Sequence, residues 1–418
     1  MLQRASQKWV EIGLADHALA KPIRGVWKVL CRRPLLSTFI LAALVRLPVV
    51  LVVRFLSGGS LYQDDQSYLA SIERAVKSGS GTEESLWHSN PTFFRPLVLA
   101  NRLTVLDPLT SQIFIALLGA STATLVAFSV KRLTSNPTAS LVAGLGFGTF
   151  PSLVLWSSLV MKDPFVWFGT SLTLACLVCL CRPSSSRSSP TPLQAIALIA
   201  GLLFGAFITY GARNHASLLL LGASSAACIT VWVPLKRALP LLLISASLVP
   251  LFLGYGPFAK RILENGSTSF AKNRSAEVAQ AETAVNCWEI PFVGQGSPDE
   301  GGWTNDLKCL PSTFAMFTTM PWPNQVVTNP SLWPPLLELP LWLTLYALAL
   351  RRPRNALPTP VRTFCILHLI FTLLFWSFVD RVVGTAFRHR GEMLAALVVL
   401  ACSQSFSTPR ITNPSVDK

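Results

Sequence analysis

The feature that constrains this sequence most is a series of apolar runs, each near the length that crosses a bilayer. A helix needs about 20 mostly apolar residues to span a hydrocarbon core about 30 Å thick. Runs of this kind occupy residues 36–55, 111–130, 138–156, 164–181, 193–210, 215–233, 238–257, 334–350, 363–379 and 391–404. They predict an all-α fold, a polytopic membrane helix bundle of about 10 transmembrane helices. Composition agrees: 51% of the residues are hydrophobic and 13% are charged, against about 25% charged in a soluble chain. A soluble enzyme, a disordered chain, a coiled coil and a secreted disulfide scaffold are all excluded on these grounds.

The net charge of +15 would point to nucleic acid in a soluble protein. Here it sets orientation. With the N-terminus inside, the segments 1–35, 131–137, 182–192, 234–237, 351–362 and 405–418 carry a net charge of +16. The rest of the chain, leaving aside Arg46 and Arg54 of the first run, carries −3. This positive-inside pattern predicts cytoplasmic N- and C-termini in a bacterial inner or plasma membrane. The bilayer is then one partner, and no nucleic-acid module is present.

Residues 1–35 read as a basic cytoplasmic leader, with an interfacial helix around Trp27 or a solvated tail as alternatives. Residues 36–404 form the transmembrane bundle, and 405–418 a cytoplasmic tail. Two extracytoplasmic loops, 56–110 and 258–333, are long enough to build something. Cys287 and Cys309 share the second of these on the oxidising side, which makes them a candidate disulfide. Cys176 and Cys179 have Cys-x-x-Cys spacing, but their position within a run makes them packing residues.

Ionisable residues at the outward ends of the runs are the candidates for chemistry. Asp64 and Asp65 lie just beyond the first run. A carboxylate there could accept a proton from a hydroxyl or, as a pair, hold a divalent ion. The structural alternative has Asp64 capping a helix that begins near Asp65, with Tyr68 on its apolar face. The turn Trp156-Ser157-Ser158-Leu159-Val160-Met161-Lys162-Asp163-Pro164 places Lys162, Asp163 and two serines at the interface. Asp163 suits a helix start, whereas Lys162 and the serines could bind phosphate. Arg213 marks the next outward turn, as a phosphate partner or a snorkelling side chain. Arg388, His389 and Arg390 precede the last run. Basic residues there run against the charge pattern and call for either an anionic ligand or pairing with Asp380 and Glu392. The stretch around Pro321-Trp322-Pro323 reads as interfacial or re-entrant.

The order of these features resembles the bacterial polytopic glycosyltransferases of the GT-C superfamily. The nearest groups are the protein O-mannosyltransferases and aminoarabinose transferases, loosely glycosyltransferase family 39. The features that carry the resemblance are the basic N-terminus and single span, Asp64-Asp65 with Tyr68, the Trp156-Ser157…Lys162-Asp163 turn, Pro321-Trp322-Pro323 and the late Arg388-His389-Arg390. The resemblance implies a polyprenyl-phosphate-linked sugar donor used on the outer face, with a glycan, lipid or protein acceptor. It implies Asp64 or Asp65 as catalytic base or metal ligand, and Asp163 as an assisting acid. Lys162, Arg213, Arg388 and Arg390 would bind the carrier phosphate, with Tyr68 and His389 beside the substrate. Many relatives carry a large C-terminal outward domain, where this sequence has a short tail.

Two other functions fit parts of the pattern. A polysaccharide polymerase or ligase would lean on the arginines and be indifferent to the Asp64-Asp65 pair. A transporter or flippase would place polar residues near the midplane on broken helices.

Overall fold

The computed structural model describes residues 20–79, 85–104, 107–181, 191–232, 313–315, 317–319, 333–351, 357–379 and 383–406. Cys287, Cys309, Asp380, the 238–257 run, the Pro321-Trp322-Pro323 stretch and most of the 258–333 loop lie outside them. Among the described residues the regular structure is helical, with no strand. The helices are α1 (Ala20–Arg32), α2 (Pro34–Ser57), α3 (Gln63–Lys77), α4 (Ser85–Ser89), α5 (Pro91–Leu103), α6 (Pro108–Thr134) and α7 (Pro137–Gly148). They continue as α8 (Pro151–Trp156), α9 (Asp163–Leu180), α10 (Pro192–Ala212), α11 (Asn214–Trp232), α12 (Trp333–Leu350), α13 (Thr359–Val379) and α14 (Val383–Phe406).

Among the described residues, five helical segments are long and apolar enough to cross a membrane: Pro34–Ser57, Pro108–Thr134, Asp163–Leu180, Pro192–Ala212 and Thr359–Ser377. The chain is therefore a helical membrane protein.

Proline starts many of these helices. α2, α5, α6, α7, α8 and α10 each carry it in the first turn, where its missing N–H costs nothing. Side-chain caps complete several starts. Asp107 accepts from the Leu109 N–H and Asn136 from those of Thr138 and Ala139, while Thr191 and Gln194 bond each other's backbone reciprocally. Gly58, with φ of 68°, ends α2 in the left-handed conformation that glycine adopts without strain.

Packing is set by small residues. α9 and α10 meet where Gly169 faces Gly205 and Thr209, and a Cβ on either glycine would strike the opposite helix. Without an aqueous driving force, close backbone approach of this kind is what holds helices together in lipid. Gly144, in the Gly144-Leu145-Gly146-Phe147-Gly148 string, gives room to Thr38 of α2 and Ala127 of α6.

The structure departs from the sequence expectations in two places. The 138–156 run is divided into α7 and α8, because Pro151 has no N–H to continue the ladder and its ring opposes the carbonyl four residues back. The last run, the shortest of the ten, is the core of the molecule. α14 extends upstream to Val383, packs against α6, α7, α8, α9, α12 and α13, and is buried from His389 to Ser403. Its charged start belongs to the helix because its ionic partners lie on the neighbouring elements.

Candidate functional site

The short elements of the first long loop build one end of the bundle. Arg54 at the end of α2 pairs with Asp107 at the start of α6, 3.0 Å apart, which closes the loop at its base. Arg102 of α5 donates to the carbonyls of Ala75 and Gly79, fastening α5 to the end of α3. Tyr68 of α3 packs on the cluster of Val53, Leu159 and Met161, which sets α3 against the turn between α8 and α9, and Thr92 of α5 donates to Ile208 O near the end of α10.

The junction of α10 and α11 is a single residue, Arg213. Its N–H closes α10 on Thr209 O (2.7 Å) and its carbonyl accepts the Ser217 N–H of α11. An extended backbone at this one position turns the chain back on itself and sends the guanidinium inward. Arg213 Nη2 lies 2.7 Å from Asp163 Oδ1, and Nη1 lies 3.0 Å from Glu392 Oε1. The same Nη1 meets the ring of His389.

Arg388 holds the other side of Asp163. Its Nε donates to Asp163 Oδ2 at 2.7 Å, and its Nη1 donates to Asp64 Oδ2 at 2.8 Å. The ion-pair chain thus runs Asp64, Arg388, Asp163, Arg213, Glu392, drawing on α3, α14, α9 and the α10–α11 junction. Below it, Trp376 Nε1 donates to Glu392 Oε2 at 3.0 Å, and the Trp376 ring stacks on His389.

Burial grades along this chain. The side chains of Asp163, Arg213 and Glu392 are almost fully enclosed, Arg388 is 11% exposed, and Asp64 is 58% exposed. The buried end is therefore a fixed charge lattice and the Asp64 end is its mouth. Lys162 stands at the mouth, half-buried. Its carbonyl accepts the Phe165 N–H, and among the described residues its ammonium forms no hydrogen bond or ion pair. Burial, with Arg213 and Arg388 adding repulsion, brings its pKa down to about 8.

Aromatic rings surround the mouth. Arg388 lies over the Trp156 ring, 5.9 Å from its centroid, and Trp156 in turn packs on Tyr62. Tyr68 sits edge-on to Phe93 and faces the same charges. Burial, outweighing Arg388 nearby, holds its phenol above the usual range.

The structure gives other candidates different places. Asp65 is buried and accepts the backbone N–H groups of Leu61, Tyr62 and Gln66 at 2.8–3.0 Å. The cap of α3 is thus Asp65 and not Asp64. Burial pushes its carboxyl up against the pull of those three bonds. The Ser157 and Ser158 hydroxyls are spent on the carbonyls of Leu153 and Val154, which leaves them poorly placed to bind phosphate.

Arg390 is turned away. At 3.6 residues per turn it lies about 200° around α14 from Arg388, whereas His389 and Glu392 fall within about 100°. It is buried on the opposite side, where Nε donates to the Phe317 carbonyl.

Two ionisable residues within apolar helices join these elements. Arg46 of α2 donates to Ser157 Oγ (2.7 Å), to Ala42 O and to Gly148 O (2.6 Å), the last being the carbonyl left open where α7 ends. Glu338 of α12 accepts the Ser152 N–H on the far side of the same break. Ionisable residues inside apolar runs are costly enough to mark a function or a fixed structural task, and this was the signal available in the sequence.

Asp163, His389 and Glu392 could each offer an atom to a metal ion, the three atoms lying within 4.8 Å of one another. The donor set does not fit a divalent cation. Arg213 stands between His389 and Glu392, and a second guanidinium bonds Asp163, so the positive charge such an ion would supply is already in place. Nor do Asp64 and Asp65 form a joint site, since the Asp65 oxygens are committed to backbone N–H groups. Comparison with protein-family profiles, with characterised proteins and with solved structures gives no match.

Proposed function

We propose that this chain is an integral membrane glycosyltransferase of GT-C-like architecture, with about ten spans and both termini cytoplasmic, in a bacterial inner membrane. On this reading it transfers a sugar from a polyprenyl-phosphate-linked donor to a cell-envelope acceptor on the extracytoplasmic face. The supporting observation is the convergence of Asp64, Lys162, Asp163, Arg213 and Arg388, from four separate segments of the chain, into one graded charge cluster.

Each part has a chemical task on this reading. Asp64 is the exposed carboxylate at the mouth and takes the proton of the acceptor hydroxyl. Lys162 and Arg388 stand where a phosphate leaving group develops charge and stabilise it. Asp163, Arg213 and Glu392 hold Arg388 in position from behind. Trp156, Tyr62 and Tyr68 offer flat apolar faces with polar edges, which suit a sugar ring. The lipid tail lies in the bilayer between helices. Inversion at the anomeric carbon follows from a single displacement.

The test is glycan transfer in membranes from a deletion strain carrying Asp64→Ala, Asp65→Ala or both. Asp64→Ala should lower the rate about 10²–10⁴-fold, the contribution of a general base, with no change in protein amount. Asp65→Ala should act through stability, at about 0.5–2 kcal/mol for a lost helix cap. Full transfer by the double variant would remove the proposed base and favour the polymerase or ligase reading.

One observation favours a second reading, a lipid-linked glycan flippase. The α7–α8 break, with Arg46 on one side and Glu338 on the other, resembles the discontinuous helices of transporters. Here both side chains are occupied by the break's own backbone groups, which suits a structural pin better than a transport site.

A further inference from the structure

The cluster carries three carboxylates, Asp64, Asp163 and Glu392, against three cations, Lys162, Arg213 and Arg388. An anionic ligand entering this balanced set must take a cation from a carboxylate that already holds it. The bonds differ greatly in how easily they can be given up. Arg213 lies between two carboxylates that are at most 2% exposed. Breaking either contact would strand a buried charge, a loss of several kcal/mol in general. Arg388 has one such buried bond, Nε to Asp163. Its second bond, Nη1 to Asp64, is made to a carboxylate 58% exposed to solvent, and exposed pairs are worth only about 0–1 kcal/mol. Water can replace Arg388 at the exposed Asp64 but has no access to the enclosed Asp163.

Resting on the glycosyltransferase reading, we propose that Asp64, bonded to Arg388 Nη1, holds the position that the donor phosphate takes on binding. On this proposal a phosphate ester arriving beside Lys162 takes Arg388 Nη1 from Asp64 and frees that carboxylate for the acceptor hydroxyl. Lys162, the cation whose ammonium has no bonded partner among the described residues, makes the first contact. Arg388 stays in place throughout, held through Nε by Asp163, and only its Nη edge changes hands.

The exchange matches the charge flow of the transfer step. The acceptor O–H bond breaks and its proton goes to Asp64. The acceptor oxygen bonds the anomeric carbon, and the electrons of the carbon–oxygen bond to phosphate leave with the phosphate oxygen. The phosphate gains one negative charge as Asp64 loses one, and Arg388 sits between the two. Loss of that proton from Asp64 is therefore tied to product release, because a charged Asp64 competes with the polyprenyl phosphate for the same guanidinium.

The test uses the full chain in nanodiscs of zwitterionic lipid, with undecaprenyl phosphate in the bilayer as probe and inorganic phosphate in solution as a second arm. Asp64→Asn, which keeps the shape of the side chain and removes its charge, should bind undecaprenyl phosphate about fivefold tighter than wild type, the equivalent of about 1 kcal/mol. Glu73→Gln, removing an exposed acid elsewhere on α3 that pairs with Lys77, should leave affinity unchanged. Tightening with both probes assigns the recognised chemistry to the phosphate alone, and tightening with the lipid probe only assigns it to a lipid-linked headgroup.

Unchanged affinity in Asp64→Asn, or equal tightening in Glu73→Gln, would overturn the exchange while leaving phosphate binding and the glycosyltransferase reading intact. Undecaprenyl phosphate binding no better than the uncharged polyprenol, and indifferent to Arg388→Gln, would overturn both.

Discussion

Asp64 and Asp65 are adjacent acids with different fates, and their separation is a matter of geometry at a helix start. Asp65 is placed so that its carboxylate folds back on the N–H groups of Leu61 and Tyr62, whereas Asp64 projects to Arg388. Lys162 is the other residue whose chemistry follows from its position. With its pKa near 8, it is charged at neutral pH and loses its proton just above. Binding of a phosphate ester should accordingly weaken as pH rises through about 8, and Lys162→Arg should carry the affinity to higher pH. A titration of undecaprenyl phosphate binding between pH 6 and pH 10 measures this. For folding the sign is opposite. Between about 8 and 10.5 the unfolded chain holds this proton and the folded chain does not, so stability rises with pH across that window. The candidates Asp64, Lys162, Asp163, Arg213 and Arg388 were legible in the sequence because charges at the ends of apolar runs stand out. Which of the two acids would cap α3 was not legible, since either could have filled that role by spacing alone. Nor was the direction of Arg390, which depends on α14 starting at Val383 rather than after the charged stretch.

At the scale of the elements, the α7–α8 break and its pin explain how the Lys162-Asp163 turn is held. α8 is a six-residue helix, too short to be stable alone. It is fixed by Arg46 at Gly148 and Ser157, and by Glu338 at Ser152. Gly119 of α6 makes the space for this, because a Cβ there would lie 2.8 Å from Arg46 Nε and 2.8 Å from Ser157 Cβ. Gly119→Ala should therefore destabilise the protein by about 1–3 kcal/mol, the usual cost of overpacking a filled core. It should also displace the turn, and both effects can be read from thermal unfolding in detergent alongside phosphate affinity. An unchanged melting temperature would show that Arg46 has freedom to move and is not a rigid pin. Sequence reading gave the 138–156 run as one span because its apolar character is continuous. Pro151 was the visible signal of the break, but proline inside a membrane run can equally be tolerated where neighbours satisfy the freed backbone groups. The partners that do so here come from α2 and α12, far away in sequence.

For the molecule as a whole, the arrangement follows from where charge can be afforded in lipid. The central helix α14 carries its ionised groups in its first turns and is apolar beyond, so the charge lattice gathers at one end of the bundle around Asp163. The helical, membrane-spanning character was legible from the apolar runs alone. The closeness of α14 to six other helices was not, because periodicity cannot rank a run that is apolar on every side. Placing the cluster outside the cytoplasm is the claim on which the use of a lipid-linked sugar at the cell surface depends. Single cysteines at Glu73 on α3 and at Lys131 near the end of α6, in an otherwise cysteine-free chain, can be challenged in intact cells with a membrane-impermeant thiol reagent. The account predicts labelling at position 73 and none at position 131 until the membrane is opened. Labelling at 131 with protection at 73 would put the Asp64–Arg388 mouth in the cytoplasm and contradict it.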